Sequence, residues 1–388
     1  MAPKISPRLI QSSTGFTLIE LMVGLAIGML GVLIIMQALT VNEGYKRSTG
    51  GVGEAQANGA VALFSLEREI RMAGYGIAHP SALGCGPVHW YYWGAYSSPP
   101  GPAGGALPEV VVAPVWITDG GSTGTDTIQI MYSTSQERSI PVKAQAHPAG
   151  ADEVMVDNVT GFNLKDLFLI AYGSQCMIFQ AANINDSMGS SSIIRAHIVQ
   201  SFTPPPGNPY FYDYIAGADV FNLGRPQVTR YAISGSDLVF TPIISPNAAG
   251  GVPEASADPR VLVSGIVDMK AWYGIDNDGN GKVADNEWTK STPTNATNWL
   301  QVRAIRVALL VRSGNFEKPS ITGGTCEATT ANNPNLLHRD PTIAFNPANP
   351  GAQLKPFNNI PEGLPSCYKY RTFETVIPLR NMIWRNDL

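Results

Sequence analysis

Charge is scarce in this chain, and its scarcity excludes one class of function. Only 14% of the 388 residues are Asp, Glu, Lys or Arg, and the formal net charge is −4. The longest basic run is Lys46-Arg47, so the sequence lacks the basic patch that a nucleic acid would require. We therefore expect no nucleic-acid partner.

Recognisable catalytic motifs are missing as well. The five histidines are scattered and form no H-x-x-x-H pair, and there is no G-x-S-x-G segment or phosphate-binding loop. No pair of carboxylates lies in a recognisable catalytic setting. The sequence therefore predicts a protein that is not an enzyme and that uses no organic cofactor.

Cysteine is rare, with four residues at Cys85, Cys176, Cys326 and Cys367. No C-x-x-C spacing occurs, which argues against a zinc site or a redox motif. Three disulfide pairings are possible, the spacing selects none of them, and free buried thiols are a further alternative. We favour Cys326 with Cys367, which would close a proline-rich loop, and this choice leaves Cys85 to pair with Cys176.

One long apolar segment lies near the N-terminus. No charged residue occurs from Leu21 to Asn42. At about 1.5 Å per residue the segment is long enough to cross a bilayer core of about 30 Å. Lys4 and Arg8 precede it without any acid, so the leader is expected inside and everything after Asn42 outside. The cysteines would then meet an oxidising periplasm.

A carboxylate, Glu20, lies at the start of this apolar segment. A charged side chain at the bilayer centre costs about 2.5–3.5 kcal/mol, so an intramembrane acid is a functional hypothesis. The segment is not followed by a good signal-peptidase site, whereas a cut at Gly15–Phe16 would keep the whole helix and create an amine on Phe16. Phe16 and Glu20 are one turn apart, at similar membrane depth, and an amine attracts a carboxylate strongly at low dielectric. A plain membrane anchor with an idle, snorkelling Glu20 is the alternative.

Residues 15–20, with the sequence GFTLIE, resemble the processing motif of type IV prepilins. In that family an inner-membrane aspartic peptidase cuts after the glycine and methylates the new N-terminal residue. The resemblance therefore implies cleavage between Gly15 and Phe16 and N-methylation of Phe16. It also implies that Glu20, the fifth residue of the mature chain, pairs with the N-terminal amine of a neighbouring subunit during assembly.

An amphipathic helical pattern follows the apolar segment. Its apolar positions share one helical face: Leu63, Leu66, Ile70 and Ala73. Glycines at 74–76 end the pattern, and several glycines within 42–53 predict a weak or kinked helix there. The helix is therefore expected to extend over 16–76, to cross the membrane over about 16–41, and to cover a sheet with its second half.

Short β-like runs, separated by Pro, Gly and Asn, make up most of the chain after residue 77. The predicted strands include 109–116, 267–275, 301–312 and 368–377. The predicted fold class is α+β: a long N-terminal helix, with a membrane-spanning first half, packed on a β-rich, mainly antiparallel periplasmic head. The predicted organisation is a leader at 1–15, the helix at 16–76 and the head at 77–388.

Segments near both ends resemble the PilW family of minor pilins. They read LEREIRMAGYG at 66–76, WYGID at 272–276, VRAIRV at 302–307, LLVRS at 309–313 and YRTFETVIPLRN at 370–381. Residues 85–225 match nothing recognisable. The resemblance implies a minor pilin in the complex that primes type IV pilus growth, located in the inner membrane with a periplasmic head and then at the pilus tip. Other minor pilins, the major pilin, the prepilin peptidase and the inner-membrane assembly platform are the implied partners.

Two other functions fit the same sequence. A pseudopilin of a type II secretion system would share the N-terminal motif. A tip adhesin or ligand-binding module would use the aromatic cluster within 89–96 and an acidic loop further along the chain, although packing onto a sheet is the commoner role of such aromatic residues.

The acidic loop, residues 276–287, reads DNDGNGKVADNE and satisfies D-x-[DN]-x-[DN]-G-x5-E in full. The scheme assigns calcium ligands to Asp276, Asp278 and Asn280, to the carbonyl of Lys282 and to both oxygens of Glu287. A strand rather than a helix is predicted to enter the loop, and no second loop is paired with it. A hairpin turn without metal is therefore the alternative to a weak extracellular calcium site.

Overall fold

A computed structural model describes residues 15–86, 89–91, 110–121, 124–145, 153–173, 175–187, 190–195, 216–244, 258–316 and 368–383. Within these ranges one long helix and sixteen strands account for most of the regular structure. Cys326 and Cys367, residues 1–14 of the leader and the proline-rich loop at 332–365 lie outside the described residues.

The first helix, α1, spans Leu18–Met72. Thr17 caps it, since the Glu20 amide N–H donates to Thr17 Oγ1 at 3.3 Å. The helix is continuous through the glycines at 42–53, so the expected weakness does not interrupt it. Each glycine costs only about 1 kcal/mol relative to alanine, and packing against the head already begins within this stretch, at the buried Gly51.

The end of α1 is fixed by the C-terminal segment of the chain. Gly74 takes a positive φ of 81°, which reverses the chain at little cost for a residue without Cβ. Asn381 Nδ2 donates to the carbonyl oxygens of Met72 at 3.1 Å and Ala73 at 3.0 Å. The amide of Asn381 thereby satisfies carbonyls at the helix end, where intrahelical partners run out.

Three sheets form the head. The sixteen strands are β1 His89–Tyr91, β2 Val115–Thr118, β3 Thr127–Tyr132, β4 Val142–Lys143, β5 Glu153–Val156, β6 Leu167–Tyr172, β7 Gln175–Ser187, β8 Ser190–Arg195, β9 Asp219–Gly224, β10 Gln227–Ser234, β11 Asp237–Ile244, β12 Arg260–Ser264, β13 Ile266–Ile275, β14 Trp288–Thr289, β15 Val302–Arg312 and β16 Tyr370–Pro378. There are two short helices in the head. The first, α2 Ala296–Leu300, precedes β15, and the second, α3 Arg380–Ile383, follows β16.

The strand orders of the sheets are simple. A four-stranded sheet has the order β14-β13-β15-β16, a five-stranded sheet β12-β11-β10-β3-β2, and a seven-stranded sheet β4-β9-β6-β7-β8-β5 with β1 beside β7. Among the described strands every pairing is antiparallel except that of β1 with β7. The predicted α+β class with a mainly antiparallel head is confirmed.

The main core lies between the second half of α1, the four-stranded sheet and the five-stranded sheet. The predicted apolar face of α1 enters it: Leu66, Ile70 and Ala73 are fully buried, and Leu63 packs at its edge. Trp299 of α2 and Tyr273 of β13 are the largest side chains in this core, at a ring distance of 5.6 Å. Tyr273 also accepts a bond from the Ile117 N–H at 2.6 Å, which ties the two sheets together.

A second and a third cluster of buried residues pack on the two faces of the seven-stranded sheet. The second cluster contains a disulfide between Cys85 and Cys176 with a Cα–Cα distance of 5.8 Å. This is the pairing that was predicted for these two residues from the sequence. The bond joins the turn after α1 to β7, across a sequence separation of 91 residues.

The strand predicted over 109–116 is wrong for its first part. Residues 110–114 are irregular, and β2 begins only at Val115. Pro114 has no N–H to donate to a ladder, and Val112 bonds instead to the segment after α1. The Val112 N–H donates to the Cys85 carbonyl at 3.0 Å, and its carbonyl accepts from the Gly84 N–H at 2.9 Å.

Candidate functional site

The N-terminal segment places two of its three predicted residues just before α1 and the third, Glu20, in the first turn of the helix. Gly15 and Phe16 precede the helix, and the side chain of Phe16 is 88% exposed. Glu20 Oε2 accepts hydrogen bonds from the Thr17 N–H at 3.1 Å and from Thr17 Oγ1 at 2.9 Å. Together with the reciprocal bond from the Glu20 N–H this is a capping box, which holds the carboxylate beside the Gly15–Phe16 junction.

The apolar half of α1 has no partner within the described part of the chain. Its most hydrophobic 18-residue window is 0% buried, and its length and apolar composition suffice to cross a membrane. Large side chains project on every side, from Leu18 at 79% exposure to Val41 at 57%. A helix that is hydrophobic all round needs lipid or other helices around it.

The acidic loop connects β13 to β14. It leaves the sheet at Asp276, reverses through Gly279 and Gly281, both with positive φ, and returns through a single 3-10 turn at Asp285–Glu287. One carboxylate oxygen from each of Asp276, Asp278 and Glu287 lies within 4.8 Å of the others. The structure therefore brings together the three predicted carboxylate ligands.

Asp276 is the most deeply buried member of this group. Its Oδ2 accepts from the Gly281 N–H at 3.0 Å and from Arg303, at 3.2 Å from both Nε and Nη2. Burial acts to raise the pKa of this carboxyl, but the bonds from Gly281 and Arg303 outweigh it and lower the pKa. Its Oδ1 is buried and has no hydrogen-bond partner.

The other predicted ligands are held by the loop itself. Glu287 is buried, and its two oxygens accept from the N–H groups of Asn277 at 2.9 Å and Ala284 at 2.8 Å. Asp278 is exposed and accepts from the Asn280 backbone N–H at 3.1 Å and Nδ2 at 2.7 Å. Asn280 Oδ1 in turn accepts from the Lys282 N–H at 2.8 Å.

A partly buried group of charges near β3 and β13 was not predicted from the sequence. Asp126 is fully buried, and Lys290 Nζ contacts its Oδ2 at 2.9 Å and Asp119 Oδ1 at 2.7 Å. Burial acts to lower the pKa of Lys290, but the bonds to both carboxylates raise it. Nearby, burial raises the pKa of Asp268 to about 6. The three acids are far apart in sequence from the lysine, so no local spacing could have found them.

Of the aromatic cluster within 89–96, the structure describes only the backbone strand β1, paired with β7. Its predicted role in ligand binding stays a prediction.

Two family models match the chain, one at each end. The prokaryotic N-terminal methylation motif covers residues 10–36, which include Gly15, Phe16 and Glu20. The model of type IV pilus-assembly protein W covers residues 238–381, from β11 to α3. Together the two matches support a type IV pilus minor pilin of the PilW family. Comparison with curated proteins gives no match.

The PilW match contains most of the elements that pack on α1, namely β12, β15, β16 and α3. It contains four of the five segments on which the resemblance rested, whereas 66–76 lies outside both matches. The seven-stranded sheet, whose strands lie between His89 and Gly224, also lies outside them. Combined with the exposed apolar helix, the methylation motif identifies a membrane-anchored pilin that takes part in type IV pilus assembly.

Proposed function

We propose that the mature PilW-family chain begins at Phe16, carries an N-methylated amine there, and joins the pilus through Glu20. The observation that carries this proposal is the position of Glu20, held in the capping box at the entry of an apolar helix that nothing in the described chain covers. The salt bridges of the described residues do not include Glu20. Its cationic partner would be the amine of an adjacent subunit.

The register of assembly follows from this pairing. An amine and a carboxylate in lipid attract each other strongly, whereas either group alone is costly to bury. An incoming helix would therefore stop sliding along its neighbour where the two charges meet. Residues around Gly24 and Gly28 leave open space on the helix surface, which permits close approach of a second helix.

The same proposal places the head in the periplasm during assembly and the subunit in the priming complex at the pilus tip, anchored at first in the inner membrane. The Cys85–Cys176 disulfide supports an oxidising compartment. The additional seven-stranded sheet supports a position at the end of the filament, because a helically repeated subunit must fit its neighbours on all sides. Other minor pilins, the major pilin, the prepilin peptidase and the inner-membrane assembly platform would be its partners, and its role would be architectural.

Mass spectrometry of the N-terminus tests the processing step. We expect the protein from sheared pili to begin with N-methylated Phe16. An intact Met1, or a terminus beyond Ala38, would contradict the processing step.

The pairing step is tested separately with Glu20→Ala. Removal of the carboxylate should leave cleavage intact but reduce the amount of this subunit in sheared pili by tenfold or more, about 1.4 kcal/mol. Glu43→Ala, an exposed acid on the same helix beyond the span, is the matched control and should incorporate normally. Normal incorporation of Glu20→Ala would disprove the pairing role while leaving the processing step standing.

A further inference from the structure

We propose that the acidic loop, residues 276–287, binds one calcium ion through Asp276, Asp278, Asn280, the carbonyl of Lys282 and Glu287. The site is independent of the N-terminal assembly segment, since it lies at the end of the four-stranded sheet between β13 and β14. Calcium takes six to eight oxygen ligands, and the loop offers carboxylate, amide and carbonyl oxygens at the spacing that such a site requires.

The unpartnered oxygen of Asp276 is the observation that separates this loop from an ordinary acidic turn. Its side chain is fully buried, and Oδ1 accepts no hydrogen bond. A buried carboxylate oxygen without a partner is unfavourable, because charged groups lose the most hydration on burial. The companion oxygen is fixed by Gly281 and Arg303, so the carboxylate cannot easily turn to find another donor. A cation at this position would supply the missing interaction.

The two other carboxylates of the proposed ligand set lie close to Asp276. One oxygen from each of Asp276, Asp278 and Glu287 lies within 4.8 Å of the others, close enough for a single ion to contact all three. Each carboxylate oxygen has two acceptor sites, so the N–H bonds that Glu287 accepts from Asn277 and Ala284 leave both of its oxygens able to bind metal.

The charge balance sets the expected affinity. Three carboxylates converge, and Arg303 beside Asp276 neutralises about one of them, which leaves a net charge of about −2 for the ion. Fewer net charges weaken calcium binding, and extracellular modules have dissociation constants of about 10⁻⁴ to 10⁻³ M. We expect this range, which suits a domain that functions outside the cell.

Bound calcium would tie the end of β13 to the start of β14. Asp276 is the first residue after β13, and Glu287 immediately precedes Trp288, a buried residue that packs on Gly274. An ion held by both acids would link the two ends of the loop that connects these strands. Because the folded state alone presents the site, calcium at ten times its dissociation constant should raise the folded-to-unfolded ratio about elevenfold.

Calcium titration of the full-length, detergent-solubilised protein tests the site. Isothermal calorimetry should show one saturable binding event, and the thermal midpoint of the head should rise with calcium but much less with equal magnesium. Asp278→Asn should weaken binding tenfold or more. Asp278 is exposed and bonds only within the loop, so this variant should fold normally without calcium.

Asp285→Asn is the matched control. It removes the same charge from the same loop, at an exposed residue that the scheme does not use as a ligand. Its affinity should stay within about threefold of the wild type, the effect of a screened surface charge. Absence of a saturable event at about 10 mM calcium, tenfold above the weakest expected constant, would overturn the proposal. Equal weakening by Asp278→Asn and Asp285→Asn would also overturn it, since that result indicates diffuse charge attraction.

Discussion

The two halves of α1 belong to one continuous helix but meet opposite surroundings. From Leu18 to Val41 the large hydrophobic side chains are more than half exposed. From Ala55 to Ala73 one face is fully buried against the head, while Val61 and Phe64 on the other face stay exposed. Within the described chain, therefore, only the second half of α1 has a surface to pack against. The partners of the other half must come from lipid and from neighbouring subunits.

Acidic residues show the same division. In the head, Asp126 is paired with Lys290, Asp276 with Arg303 and Glu374 with Arg306, all within the chain. Glu20, at the entry of the apolar half, has only the hydroxyl and amide of Thr17 among the described residues. Among the described residues, these acids of the head have cationic partners within the chain, whereas Glu20 and the apolar half of α1 have none.

The largest effect on this comparison should come from removing matched leucines in the two halves. Leu66→Ala creates a cavity in the main core and should lower the free energy of unfolding of the head by about 2–5 kcal/mol. Leu30→Ala, at a side chain that is 61% exposed, should leave it unchanged. Chemical denaturation of the full-length protein in detergent measures both. An equal loss in the two variants would mean that the apolar half packs on the head.

A pair of glycines gives a smaller and sharper comparison. A Cβ on Gly59 would overlap the ring of Phe373, so Gly59→Ala should destabilise the head by about 1–3 kcal/mol, less the gain in helix propensity. A Cβ on Gly28 meets nothing within 4 Å. Thermal unfolding should therefore show a lower midpoint for Gly59→Ala and an unchanged midpoint for Gly28→Ala. A stabilised Gly59→Ala would show that Phe373 moves aside freely.

The smallest effect concerns Asp268, whose pKa burial raises from 3.8 to about 6. Between these values the folded state holds a proton that the unfolded state has lost, so stability falls as pH rises from about 4 to 6. The loss is at most about 2 kcal/mol, since neighbouring charges and partial solvation screen it. Asp268→Asn should flatten this slope in thermal unfolding and raise the midpoint at pH 7.

Asp258→Asn, at an exposed residue before β12, is the control for the pH experiment and should keep the wild-type slope. If Asp268→Asn also kept it, another group would be responsible for the pH dependence.

Much of the fold could be predicted because its signals are local. The apolar run, the helical face at 63–73 and the alternating strand at 267–275 reflect periodicities that depend only on neighbours along the chain. The fold class, the family and the closeness of the acidic-loop carboxylates follow from such patterns.

The rest required contacts between distant residues. The strands at 142–143, 153–156 and 219–224 were not predicted, since β4 and β5 are too short for a clear pattern and β9 is buried throughout. The irregular segment 110–114 reads as a strand but bonds to the chain after α1. Asp126, Lys270 and Lys290 meet only because two sheets pack together.

The sequence alone determined that this pilin has a membrane-length apolar helix, an N-terminal methylation motif with an acid five residues after Gly15, and a loop with the spacing of calcium ligands. These features are encoded in consecutive residues, so no tertiary contact is needed to read them. Tertiary structure alone decided which face of α1 is covered, which cysteine faces Cys85, and that one oxygen of Asp276 is buried without a partner. Each of these depends on which distant segments approach, and burial and hydrogen bonding are properties of the packed chain.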